Sequence, residues 1–188
     1  MAMSPITARG WSAQEFLAMP EDADRRETIE LVEGVVVMNP SPTPWHSEVA
    51  GNLYSELRAW AKATGAGKVL IQPVDVALSE DSVLVPDVLF VRAARTSIIG
   101  PQWVAGPPDL VAEVLSPSTR KKDLVAKRRV YELAGVGEYW IIDPDARAAE
   151  VLVLRGGKYE SLGVISQTGT IRSPLLGDCT IPLERVFE

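Results

Sequence analysis

Asp87, Glu113 and Lys127 are the side chains whose type and spacing could do chemistry in this sequence. Strand alternation over Leu110 to Leu115 puts Glu113 on the same face as Val111 and Leu115, and over Val83 to Val91 it puts Asp87 with Val83, Val85, Leu89 and Val91. A carboxylate on an apolar face needs a partner, because burying an unpaired polar group costs roughly 2–7 kcal/mol and a charge costs more. The next element offers one: Leu124, Lys127, Tyr131 and Ala134 recur at i, i+3, i+7 and i+10, a stripe that turns Lys127 toward the core. Two carboxylates with an inward lysine suit a hard divalent ion such as Mg²⁺, which takes one or two carboxylates and leaves its other positions to water and phosphate. The ion makes bound water a better nucleophile, and a lysine there can orient that water or neutralise charge on the phosphoryl oxygens. Asp123, one turn before Lys127, also gives a local i, i+4 ion pair, so a purely structural lysine stands beside the chemical one.

The elements that must position these groups can be read from caps and periodicity. Pro117 ends the central strand, Ser116, Ser118 and Thr119 can cap the basic helix from Arg120 to Ala134, and Gly135 and Gly137 end it. Ser12 and Glu15 form a capping box for a short first helix. Thr28 to Met38 reads as a hairpin around Glu33-Gly34, with Glu30 in its first strand. A long amphipathic helix runs from Thr43 to about Thr64, with Thr43 as cap, Pro44 at its first position, and a stripe of His46, Val49, Ala50, Leu53, Leu57 and Trp60. His46 at the end of that stripe is either a hydrogen-bonded histidine at the core edge or a catalytic group. Lys68 to Leu78 and Val83 to Val91 read as two strands, with Pro86 forcing an edge or a bulge beside Asp87. The stretch from Arg92 to Pro108 is long for a loop. Glu138 to Ile142 is a buried strand ended by Asp143-Pro144, residues 150–164 form a C-terminal hairpin, and the tail from Ser173 could cover a sheet edge.

Composition narrows the classes. With 188 residues, 46% of them hydrophobic, one domain spanning 1–188 with its core at about 28–165 is expected. No run is long enough to cross a bilayer, and the N-terminus lacks a basic region followed by an apolar segment, so a soluble cytoplasmic protein with no membrane partner is expected. One cysteine, Cys179, and one histidine leave neither an internal disulfide nor a zinc cluster. The net charge of −6 argues against nonspecific coating of nucleic acid. Thr119 to Val130 nevertheless carries six bases against one acid, so this segment is +5 and the rest is −11; such a run is either a solvated face or a site. A Gly-x-Ser-x-Gly elbow and Gly-rich phosphate loops are absent from the sequence, which disfavours serine hydrolases and nucleotide binders.

Ile29-Glu30-Leu31-Val32-Glu33-Gly34, Trp45-His46, Val85-Pro86-Asp87, the run Pro108 to Thr119, Asp123, Lys127-Arg128, Tyr131-Glu132 and the run Gly135 to Pro144 together resemble the Uma family of restriction-type endonucleases, in the PD-(D/E)xK nuclease superfamily. The resemblance spans roughly Trp11 to Tyr159. It implies an α/β, restriction-endonuclease-like core, a central mixed β-sheet flanked by helices, with an N-terminal helix and hairpin and a C-terminal β-hairpin. It also implies Mg²⁺-dependent hydrolysis of nucleic-acid phosphodiesters, DNA being the expected substrate, Mn²⁺ a substitute ion, and a homodimer the form that cuts two strands. Asp87 matches the first motif acid and Glu113 the second. Leu115 stands where the motif lysine is usual, which makes Lys127 a migrated equivalent, and Ile29 stands where an aromatic is usual. Glu30 is implied as a further acid at the metal, His46 as a neighbour of the site, and Asp123 and Tyr131 as accessory positions. Two other readings remain open: a noncatalytic nucleic-acid- or protein-binding module on the same scaffold, and acids that merely pair with Lys127 and Arg128 to hold sheet and helix together.

Overall fold

The computed structural model describes residues 10–20, 28–118 and 120–188; Thr119, expected in a helix cap, lies outside them. Ser12 and Glu15 exchange the expected capping-box bonds at the start of α1 (Ala13–Leu17). Strands β1 (Thr28–Val32) and β2 (Val35–Asn39) turn at Glu33-Gly34, whose φ values of 48° and 79° are those of the tight two-residue hairpin turn that Gly tolerates best. Helix α2 (Pro44–Thr64) starts as its sequence dictates, Thr43 accepting the His46 amide, and stops at Gly65 in the left-handed region.

The next stretch departs from expectation. Residues 68–78 divide into β3 (Gly67–Ile71) and β4 (Val76–Ser79), and residues 83–91 into β5 (Ser82–Leu84) and β6 (Val88–Arg92). Each break falls at a proline, Pro73 or Pro86, which cannot donate to a ladder. The chain uses both breaks to change sheets. Asp87 therefore stands just ahead of a strand rather than within one. The Arg92 to Pro108 stretch is ordered as a 3₁₀ helix (Ala93–Ile98) and the short β7 (Val104–Ala105).

Then come β8 (Leu110–Val114), a π-helix (Lys122–Lys127), α3 (Arg128–Ala134), β9 (Glu138–Asp143), β10 (Ala148–Arg155), β11 (Lys158–Ile165), β12 (Thr170–Arg172), β13 (Thr180–Pro182) and α4 (Leu183–Val186). The main sheet has the order β11-β10-β9-β8-β6-β3 and is mixed, β8 running parallel to β9 and the other neighbours antiparallel. A second sheet, β2-β1-β5-β4-β7, brings in the N-terminal hairpin. This is the α/β architecture expected, with the second sheet as an addition.

Alternation along β6 and β8 decides which helix each side chain meets. Val88, Phe90, Leu110, Ala112 and Val114 pack in one core with Val49, Leu53 and Leu57 of α2. Leu89, Val91, Val111 and Leu115 pack in the other with Val130 and Tyr131 of α3. From the tail, Ile181, Leu183, Val186 and Phe187 join the α2 core. Among the described residues no helix is long and apolar enough to cross a membrane.

Candidate active site

Asp87 and Glu113 meet where β6 begins and β8 ends. Val88 is registered with Ala112, so one step further out the two acids come level on neighbouring strands. Both are buried, Asp87 6% and Glu113 2% exposed, and both line one cavity of about 180 Å³. The Val114 amide donates to Asp87 Oδ2 at 2.7 Å, and His46 Nε2 lies 3.3 Å from the same oxygen. Burial pulls the His46 pKa down, but the Asp87 carboxylate, with the Val114 backbone, outweighs it and the net shift is upward. His46 thus reaches the site from the first turn of α2, while its buried Nδ1 has no hydrogen-bond partner among the described residues.

Lys127 reaches Glu113 as its helical stripe predicts. Its Nζ donates to Glu113 Oε1 at 2.8 Å, and the Tyr131 hydroxyl donates to the same oxygen at 2.6 Å. Lys127 is also 3.0 Å from Glu30 and 3.8 Å from Asp123, so the local pair read from sequence is the longest of its three contacts with acids. Burial opposes the Lys127 charge, yet Glu113, Asp123 and Asp87 together hold its pKa above the ordinary value. Burial pushes Glu113 up to about 8, Lys127 offsetting it in part while Asp87 and Asp123 add to it. Tyr131 is pushed well up by burial and by Glu113, which keeps it a donor.

The helix expected over 120–134 is not uniform, and the difference places a second lysine. A π-helix closes its bonds from i to i+5, so residues five apart fall nearly in line. Lys122 and Lys127 are five apart, and both are buried, whereas α-helical spacing would have carried Lys122 round to another face. Lys122 bonds to Glu30 Oε2 and, at 2.6 Å, to Asn39 Oδ1. Burial and the Lys127 charge draw its pKa down to about 6. The π-helix is pinned from below by the Tyr139 hydroxyl, which donates to the Asp123 carbonyl at 3.0 Å.

Glu30, expected at a metal, has a different setting. It is 0% exposed; Oε1 accepts the Val85 amide at 2.8 Å and Oε2 the Asn39 side chain at 2.7 Å, with Lys127 and Lys122 on either side. It anchors the two lysines instead of facing the cavity. The basic run is likewise no free cationic face: Arg120 pairs with Asp143 at 2.8 Å and Arg129 with Glu33 at 3.3 Å, in addition to the two buried lysines. Asp143 also closes its own turn, accepting the amides of Asp145 and Ala146.

The cavity is lined by Asp87, Glu113 and Asp123 and by His46, Lys122 and Lys127, with Glu30 in the wall behind them. Two carboxylates level on adjacent strands are donors of the kind a hard divalent cation takes. Among the described residues no three His, Cys, Asp or Glu side chains are arranged to hold a metal ion, and Asp87 and Glu113 are the two carboxylates that would be available to one, with water and phosphate completing its shell.

A mixed sheet flanked by helices, with two acids at the ends of adjacent strands and a lysine from the next helix, defines a restriction-endonuclease-like protein. The family model described as "Uma2: Putative restriction endonuclease" matches residues 13–184, and the chain belongs to that family. A solved structure described as a putative nuclease belonging to DUF820, from Anabaena variabilis ATCC 29413, superposes with a TM-score of 0.77 at 20% identity, covering 94% of this chain and 97% of that one. Comparison with curated proteins gives no match.

Of the residues predicted from sequence, Asp87, Glu113, Lys127, His46, Asp123 and Tyr131 come together, and Glu30 lies behind them. Sequence reasoning missed Lys122 and Asn39. Neither had a signal in the sequence: the five-residue spacing of Lys122 and Lys127 lines up only once the segment is a π-helix, and the role of Asn39 depends on β2 passing beside it.

Proposed function

We propose that this protein is a Mg²⁺-dependent endonuclease acting on DNA, with Mn²⁺ able to substitute, and that Asp87 and Glu113 hold the ion. The observation that supports it most is the pair of buried carboxylates level on neighbouring strands and lining one cavity. The ion would supply an activated water and offset charge on the phosphoryl group. Lys127 offsets part of the cost of ionising the buried Glu113 and aims its carboxyl, with the Tyr131 hydroxyl fixing the same oxygen. His46 steadies Asp87, and Asp123 bounds the Lys127 ammonium. Cutting both strands of a duplex calls for two such sites, so a homodimer of twice the 20.4 kDa chain mass is expected. The test is nicking of supercoiled plasmid: cleavage with Mg²⁺ or Mn²⁺, none in a chelator, and none by Asp87→Ala or Glu113→Ala. Cleavage surviving both substitutions would overturn the assignment.

The density of pairing around Glu113 favours a second reading, in which the acids only tie sheet to helix. Mg²⁺ would then leave the unfolding temperature unchanged, whereas an ion held by Asp87 and Glu113 raises it in wild type and not in the alanine variants.

A further inference from the structure

The cavity holds two lysines whose surroundings differ. Lys127 is ringed by carboxylates, Glu113 at 2.8 Å, Glu30 at 3.0 Å and Asp123 at 3.8 Å. An ammonium has three N–H donors, and each of these has an acid to point at. Lys122 has two acceptors among the described residues, Glu30 Oε2 and Asn39 Oδ1. In the charged form one donor is left over, and Lys122 lines the cavity together with residues 39–43 and 116–118. Its partners are themselves fixed, since Asn39 donates to Glu30 and Glu30 accepts the Val85 amide. The side chain is therefore held in place before any ligand arrives, and although burial and the Lys127 charge draw its pKa down to about 6, a phosphate anion brought beside it favours the ammonium form.

We infer that Lys122 is the side chain that touches the substrate, donating to a phosphate oxygen of the nucleic-acid backbone, while Lys127 is a positioning residue for Glu113 and Glu30. This rests on the nuclease reading to the extent that the ligand is a phosphodiester. The π-helix serves that division of labour by bringing both lysines to one wall.

The test is binding of a short DNA duplex by fluorescence anisotropy across a salt series, in Ca²⁺ to hold back turnover, for wild type, Lys122→Met and Lys122→Arg. Loss of one phosphate contact should weaken binding roughly tenfold or more and lower the log–log salt slope by about one. Lys122→Arg should restore the slope, which a merely structural lysine would not. An unchanged slope in Lys122→Met of wild-type thermal stability overturns the inference. Should Lys122→Met unfold, Lys122→Gln, which keeps a donor for Glu30, is judged by the same slope. Plasmid nicking by wild type in Mg²⁺ separates the two claims. A chain that binds through Lys122 and never cuts loses the nuclease reading alone; one that cuts with the slope unchanged in Lys122→Met loses this inference alone. A wild-type chain that neither binds nor cuts loses both.

Discussion

Glu113 carries the tightest balance of forces among the residues here. Its carboxyl would titrate near 4.5 in an unfolded chain and is pushed to about 8 by burial in the folded one. Between those values the folded state keeps a proton that the unfolded state has lost, so in chelator the stability from this group is present below pH 4.5 and drains away as pH rises toward 8. Lys122, drawn down to about 6, acts oppositely, since above that value the unfolded chain binds the extra proton. The two overlap, so the comparison that isolates Glu113 is wild type against Glu113→Gln. Wild type should lose more thermal stability than the variant between pH 5 and pH 8, and Mg²⁺ should restore more at pH 8 than at pH 6. Parallel pH profiles would show that burial of Glu113 is not the cause. Lys127→Met should destabilise by about 3–5 kcal/mol in urea unfolding, because it strips the shared cation from buried acids. Combining it with Glu30→Gln should cost less than the sum of the two single changes.

At the scale of elements, the site depends on how two helices begin. Helix α2 brings His46 to Asp87 through a first turn capped by Thr43, so Thr43→Ala should cost about 1 kcal/mol by thermal or urea unfolding. The π-helix is a wider turn than an α-helix, and removing one residue between its lysines returns the segment to α-helical spacing. Deleting Ala126 should then leave α3 in place and set the two lysines four apart on one face of an α-helix, so Lys122 keeps the cavity wall and duplex binding persists, while circular dichroism still shows a folded chain. Loss of binding in a folded deletion would mean that the wider π-turn itself, and not only the shared face, places Lys122. Hydrophobic periodicity could not reveal the π-helix. Its buried stripe contains Lys122, Asp123 and Lys127, and charged residues carry no apolar period to follow.

For the molecule as a whole, the charge of −6 means that a nucleic-acid duplex is attracted by few free cations. The basic run is largely spent on partners within the fold: Arg120 on Asp143, Arg129 on Glu33, and both buried lysines on acids. Duplex binding should therefore be weak without divalent ions and should fall steeply with salt; tight binding in chelator at physiological salt would point to a cationic surface elsewhere. The sequence by itself determined the elements bounded by caps and prolines, the face on which Glu113 lies, and the inward turn of Lys127, because these follow from local rules of period and chain geometry. It did not determine that strands 68–78 and 83–91 would each divide between two sheets, that Glu30 would sit behind the cavity, or that Lys122 and Asn39 would meet. Those outcomes required residues 83 to 92 positions apart in the sequence to share one buried carboxylate, and such contacts arise from packing rather than from any pattern local to the chain.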